Sequence, residues 1–257
     1  MIGFLLKKTF FDLWDNLFRI ALVNLGFLAS AAIPIFIPPL LQSLPIVGML
    51  VFYIGILWCF VYLAAAGLSL KSVSDYGSFG AGDFFMQVKS AWPSGMVMAG
   101  VVFLMGLLFR VAIPFYLSLG SVIGLLLGAM IFWTILLGIL ALQFFLASRA
   151  RLGTKIPKIL KKCVLIFFDN PLFCIFSFMF CLVMLVLSVF LAFLFPGPAG
   201  ILLYLDEALR LRLLKYDWLE VHSDANRRKI PWDVLLIEER EKTGSRSFRS
   251  FIFPWKD

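Results

Sequence analysis

Of the chain's 257 residues, 62% are hydrophobic and 15% charged, where a soluble domain runs roughly 45–50% apolar and about 25% charged, so an ordinary water-soluble globule is excluded. Twenty-nine phenylalanines and a mean hydropathy of +0.99 come with long apolar runs; a membrane β-barrel, whose strands leave only weak alternating segments, is excluded too. The net charge of +8 sits beside those runs, where the orientation of spans and contact with anionic headgroups account for it and nucleic acid does not.

The chain opens with "MIGFLLKKTFFDLWDNLFR". Its basic pair follows the apolar run, acids intervene, and no small-residue cleavage site comes soon after, so the pattern predicts a retained amphipathic segment over residues 1–19 rather than a cleaved signal. A transmembrane bundle is predicted over residues 20–219. Roughly 20 apolar residues cross the hydrocarbon core, and by that measure five spans stand out: Ile20–Leu41, Ile46–Leu70, Ser94–Leu119, Ser121–Ala147 and Leu172–Phe195. The turns at Gln42–Pro45 and around Gly120 are too short for anything but antiparallel neighbours, which predicts helical hairpins.

Orientation follows from the bases. The loop Ser148–Cys163 carries six Lys or Arg and no acid, while the turns at Gln42–Pro45 and Gly120 carry no charge. Lys7, Lys8, Arg19, Lys71 and Lys89 fall on the same side as that loop if the spans alternate, which puts the N-terminus in the cytoplasm. Each hairpin is introduced by an aromatic-rich amphipathic segment: "FFDLWDNLFR", "GDFFMQVKSAWPSG" and "VLIFFDNPLF". In the first and third, Asp15 and Asn16, and Asp169 and Asn170, stand where they could cap the helix that follows. Prolines near the outer ends of the odd-numbered spans (Pro34, Pro38, Pro39, Pro114, Pro196, Pro198) predict stops or kinks, with a true kink at Pro114. Of the four cysteines, Cys59, Cys174 and Cys181 lie within apolar runs and read as small hydrophobes; the fourth is Cys163.

The last apolar stretch, Ala199–Leu219, is long enough to cross, about 32 Å as a helix, yet it carries charge. Parity favours a sixth crossing, which returns the basic tail to the cytoplasm; a re-entrant or surface helix is the other reading. Asp206 and Arg210 are spaced i,i+4 with the acid first, the favourable sense for an intrahelical pair. Intramembrane charges face protein or water and are candidate functional residues, which makes Arg110, Asp206, Glu207 and Arg210 the polar candidates, with Asp206 or Glu207 the expected partner of Arg110. Residues 220–257 read as a cytoplasmic tail with a short helix after Pro231, ending in a basic and aromatic run. Phe248, Arg249, Phe251, Phe253 and Trp255 there suit either headgroups or a protein groove.

No nucleophile elbow, phosphate loop, HExxH helix or CxxC pair occurs, and there is one histidine, so the expectation is no enzyme, no cofactor and no metal. "LWDNLFRIALVNLGFL", "DFFMQVKSAWPSGMVMAG" and "KKCVLIFFDNPLFCIFSF" resemble the pattern of the YesL family of small bacterial integral membrane proteins, over roughly Leu13 to Lys215. The charged last helix and the aromatic tail depart from it. The resemblance implies a bacterial inner-membrane location and an association with sugar uptake, and supplies no catalytic residues. The expected architecture is therefore an all-α polytopic bundle of three hairpins, about six transmembrane helices. Its expected role is a non-enzymatic accessory subunit of a transport or envelope-assembly system with a membrane-protein partner. The alternative is a conduit for a small solute or lipid lined by Arg110, Asp206 and Arg210.

Overall fold

The structure is a computed structural model that describes residues 1–153, 155–222, 226, 230–244 and 246. Among these the chain is all-helical: α1 (Ile2–Asp15), α2 (Leu17–Leu40), α3 (Pro45–Ser74), α4 (Ala81–Leu107), a π-helical turn (Leu108–Ala112), α5 (Ile113–Ser118), α6 (Val122–Leu142), α7 (Phe145–Leu152), α8 (Ile156–Asp169), α9 (Pro171–Phe190), α10 (Gly197–Val221), α11 (Trp232–Leu235) and α12 (Ile237–Thr243). Five helical stretches are long and apolar enough to cross a membrane: Leu17–Leu40, Pro45–Ser74, Ala81–Ser118, Val122–Leu152 and Pro171–Phe190. α10 is not one of them, because charges interrupt its apolar run.

α2 and α3 pair antiparallel along their length. The Tyr62 hydroxyl donates to the Val23 carbonyl at 2.9 Å, the Trp58 indole donates to Ser30 Oγ at 3.1 Å, and Gly55 lies against the Pro34 ring. α4 closes on α3 through Gly95, where a Cβ would stand 2.5 Å from Val61 Cα, so only glycine permits the approach. Pro34, Pro38 and Pro39 sit inside α2 without ending it before Leu40. The disturbance expected at Pro114 falls one turn earlier, as the π turn Leu108–Ala112, since the proline ring crowds the carbonyl four residues back. The fourth predicted span breaks at Gln143, whose side-chain amide donates to the carbonyls of Leu140 (2.8 Å) and Cys174 (2.9 Å).

The amphipathic segments expected before each hairpin take two forms. The first and third are separate helices, α1 and α8; the second is the continuous first half of α4. Asn16 and Asn170 stand at the predicted helix boundaries, but neither caps the helix after it. Their ψ angles, 23° and 57°, are not the extended values an N-cap needs. Each side-chain amide instead donates backward, Asn16 to the Asp12 carbonyl (3.0 Å) and Asn170 to that of Ile166 (3.4 Å), closing the helix before. Asp15 and Asp169 do not cap either: Asp15 takes Arg246 at 2.8 Å and Asp169 takes Lys215 at 2.8 Å. All four cysteines are free. Cys163, buried against Ser148, has its thiol pushed up to about 11 by that burial, which keeps it unreactive at neutral pH.

α9 and α10 form a hairpin whose apex rests on α2 at Asn24. The fully buried Asn24 amide donates to the carbonyls of Leu194 (3.0 Å) and Pro196 (2.8 Å), and its Oδ1 accepts from the Ala199 N–H at 2.8 Å. Ser188 Oγ accepts from the Gly197 N–H at 2.9 Å. Gly197 has φ +60° and a Cβ there would lie 2.3 Å from the Asn24 amide nitrogen, so both conformation and space require glycine. Around this polar knot the apex is greasy, with Val189, Phe190, Leu191 and Leu194 exposed. Asn24 is the eighth residue of α2, so the apex stops about 10 Å from the start of that helix and about 24 Å short of its far end.

Replacing Asn24 by Leu keeps the branching and heavy-atom count of the side chain and strips three backbone groups of their partner. The expected cost is about 3 kcal/mol, a fall of roughly 6–12 °C in the unfolding midpoint of the detergent-solubilised protein followed by tryptophan fluorescence. Ser188→Ala, which frees one N–H, should lower it less; an unchanged midpoint in Asn24→Leu would mean the knot does not hold the apex.

Candidate functional site

The charges of α10 converge with those of four other elements in a buried ionic junction. Glu207 is fully buried; it accepts from Lys8 Nζ of α1 at 3.4 Å and from the Thr9 hydroxyl. Lys8, itself 1% exposed, also donates to Asp12 one turn on and to the Ser74 carbonyl at 3.1 Å, and lies 4.1 Å over the Tyr76 ring. Asp206, likewise 1% exposed, accepts from the Arg151 guanidinium of α7, which also binds Ser74 Oγ (2.8 Å) and Asp75 (3.1 Å) beyond the end of α3. Arg210 reaches Asp75 at 2.9 Å and Glu239 of α12 at 2.6 Å.

Tyr76 is the hub of this junction. Its φ of 61° is in the left-handed region that a bulky side chain rarely adopts. What holds it there is a hydroxyl donating to Glu239 at 2.8 Å and two cations over its ring, Lys8 and Arg210. Burial first, then the Glu239 carboxylate, push the phenol above its ordinary range, so it stays a neutral donor.

The sequence-predicted residues separate here. Asp206, Glu207 and Arg210 come together in the junction, but the expected intrahelical Asp206–Arg210 pair is replaced, since Asp206 takes Arg151 and Arg210 takes Asp75 and Glu239. Arg110 is not brought to them. It lies exposed in the π turn, with no hydrogen-bond or ion-pair partner among the described residues. Phe248, Arg249, Phe251, Phe253 and Trp255 lie outside the described residues. Sequence reasoning missed Lys8, Asp12, Asp75, Tyr76, Arg151 and Glu239. The i,i+4 spacing of Lys8 and Asp12 was the one local signal; Arg151 is one base among six in its loop.

A second, smaller tie fixes the far end of α10. Asp169 accepts from Lys215 (2.8 Å), the Tyr216 hydroxyl (2.9 Å) and the Asn170 amide (2.9 Å). Partial burial pushes its carboxyl up, but the donors prevail and hold it below the usual carboxylate range. The contribution to stability is thus present above the ordinary carboxylate pKa and is lost as pH falls through the lowered one. Arg212 adds a contact 3.8 Å over the Phe173 ring of α9.

Chemically the junction is a fastener. Five carboxylates (Asp12, Asp75, Asp206, Glu207, Glu239) meet three bases (Lys8, Arg151, Arg210); Lys8, Asp206 and Glu207 are shut away from solvent, while Asp75 stands at the exposed edge. No group of His, Cys, Asp and Glu suited to a metal occurs among the described residues. Compared with protein-family models, curated proteins and solved structures, the chain matches none.

Removing one partner of a buried pair leaves an uncompensated charge. Arg151→Met should therefore destabilise the protein by about 3–5 kcal/mol, while Arg151→Met with Asp206→Leu recovers most of the loss, because Asp75 keeps Arg210. Thermal unfolding in detergent reads both. A double variant no more stable than the single one would show that the stranded Asp206 charge is not the cause.

Proposed function

We propose that this chain is a non-catalytic accessory subunit of a transport or envelope-assembly system, and that it holds a transmembrane helix of its partner between α4 and α6. The observation that carries the reading is an apolar cleft of about 410 Å³ lined by Val102, Met105, Gly106, Phe109, Phe132 and Ile135. A Cβ at Gly106 would meet nothing within 4 Å, so the cleft is open where a small residue lets another backbone approach. The stretch Ala81–Ser118 buries only 6% of its most apolar window inside the chain. Arg110, exposed one turn beyond Gly106, supplies a charge that an acid on the partner's helix would match. The conduit reading is the weaker one, because Asp206 and Arg210 spend their charge in the junction and Arg110 stands apart from them.

In the proposed topology α2, α3, α4–α5 and α6 cross the membrane, and the α9–α10 hairpin enters and turns back within it. This takes the place of the sixth crossing expected from parity, and it likewise puts both termini on the face that carries the basic loop Ser148–Cys163. The excess of Lys and Arg there makes that face cytoplasmic and apposes it to anionic headgroups. Placement in a bacterial inner membrane rests on the YesL resemblance.

A photo-reactive residue at position 109 tests the reading in native membranes. The expected result is one adduct whose cross-linked peptide maps to a transmembrane helix of another protein. It should be lost in Gly106→Phe, which fills the cleft, while thermal unfolding is unchanged. Adducts to lipid alone would overturn the proposal.

A further inference from the structure

A cavity of about 490 Å³ lies at the foot of α2, where α3 and the start of α4 converge. Its volume is that of a small-molecule site, roughly 300–1,000 Å³. The walls are apolar, from Leu22, Val23, Tyr62, Phe79 and Phe84, and Arg19 is the one charged residue among its lining. Tyr62 adds no polarity, because its hydroxyl is spent on the Val23 carbonyl. Gly26 seats that wall: a Cβ there would stand 2.2 Å from the Tyr62 hydroxyl oxygen, so only glycine lets the tyrosine lie against α2.

Arg19 is set at the mouth in a fixed pose. One guanidinium nitrogen donates to Asn16 Oδ1, and the group lies 5.5 Å over the Phe79 ring. The pose leaves N–H groups for an anion, and a planar guanidinium matches a phosphodiester in a way a point charge does not. Arg19 is the third residue of a helix that crosses, so the cation is at headgroup level while the cavity runs beside residues deeper in α2.

We infer that this cavity holds one acyl chain of an anionic phospholipid whose phosphate sits on Arg19. The inference rests on the chain being embedded in a membrane and not on the α4–α6 partner, so the cross-linking result leaves it untouched. A free inorganic anion would have no use for the apolar walls. A zwitterionic lipid would bring a second charge for which the lining holds no carboxylate, the nearby Asp83 being turned to the Gly80 N–H.

Native mass spectrometry of the full-length protein, purified in a mild detergent and titrated with phosphatidylglycerol or with phosphatidylcholine of the same chains, reads the site directly. The expected result is one tightly retained phosphatidylglycerol and about tenfold weaker retention of phosphatidylcholine. Arg19→Gln should lower phosphatidylglycerol retention about tenfold, and Ala81→Trp, which fills the mouth on an exposed position, should abolish it. Lys158→Gln, an equal loss of charge on the basic loop, should change nothing. Equal retention of the two lipids, equal losses in Arg19→Gln and Lys158→Gln, or displacement of the lipid by millimolar phosphate would each overturn the inference. Should Arg19→Gln fail to fold, Ala81→Trp decides alone.

Discussion

The pairing of Asp206 with Arg151 and of Glu207 with Lys8 is what allows so apolar a chain to end in a charged helix. An unpaired carboxylate beside hydrocarbon is costly, and neither acid has water to turn to. Matching them has an architectural consequence. The two bases come from α7 and α1, and the neighbouring Arg210 draws in the end of α3 and α12, so elements far apart in sequence are fastened at one end of the bundle. A buried pair adds little net stability compared with an apolar one of the same shape; it penalises every arrangement that separates the partners. The junction therefore specifies where α1 and α12 dock more than it strengthens the fold.

The opposite end of α10 obeys the same constraint in neutral form. In the proposed topology an apex that does not reach the far end of α2 has no bulk water for its backbone groups, and Asn24 and Ser188 serve those groups instead. From Ala199 to Asp206 is about 10 Å of helix, so α10 is pinned by an amide at one level and by ion pairs about two turns on. α9, about 30 Å long and apolar on its exposed faces, shares that apex, and its other end is tied to Lys215 and Tyr216 of α10 through Asp169 and Asn170.

The five apolar helices were legible because hydropathy is a local property; four emerged within about five residues of their expected limits, while the third begins at Ala81 rather than Ser94, because its amphipathic lead-in is continuous with the span. The Asp-Asn boundaries at positions 15–16 and 169–170 were legible too, but their role was reversed: the backbone angles that decide which helix an asparagine serves are set by packing. What the sequence concealed is every partner of the charges. Lys8 and Glu207 are 199 residues apart, and Arg151 and Asp206 are 55 apart, with nothing local to join them. The spacing of Asp206 and Arg210 suggested a pair, and tertiary acids outbid it. Arg19 read as one more orientation charge because the cavity beside it is made by α3 and the start of α4.

The most direct measurement is sided thiol labelling in sealed membrane vesicles, with the native cysteines replaced and single cysteines placed at Ser43, Phe193 and His222. If α10 returns to its own face from an apex buried in the bilayer, position 43 labels from the outside, position 222 from the inside, and position 193 from neither side until detergent is added. Labelling of position 193 from the outside as readily as position 43 would make the last hairpin a full crossing and contradict the account.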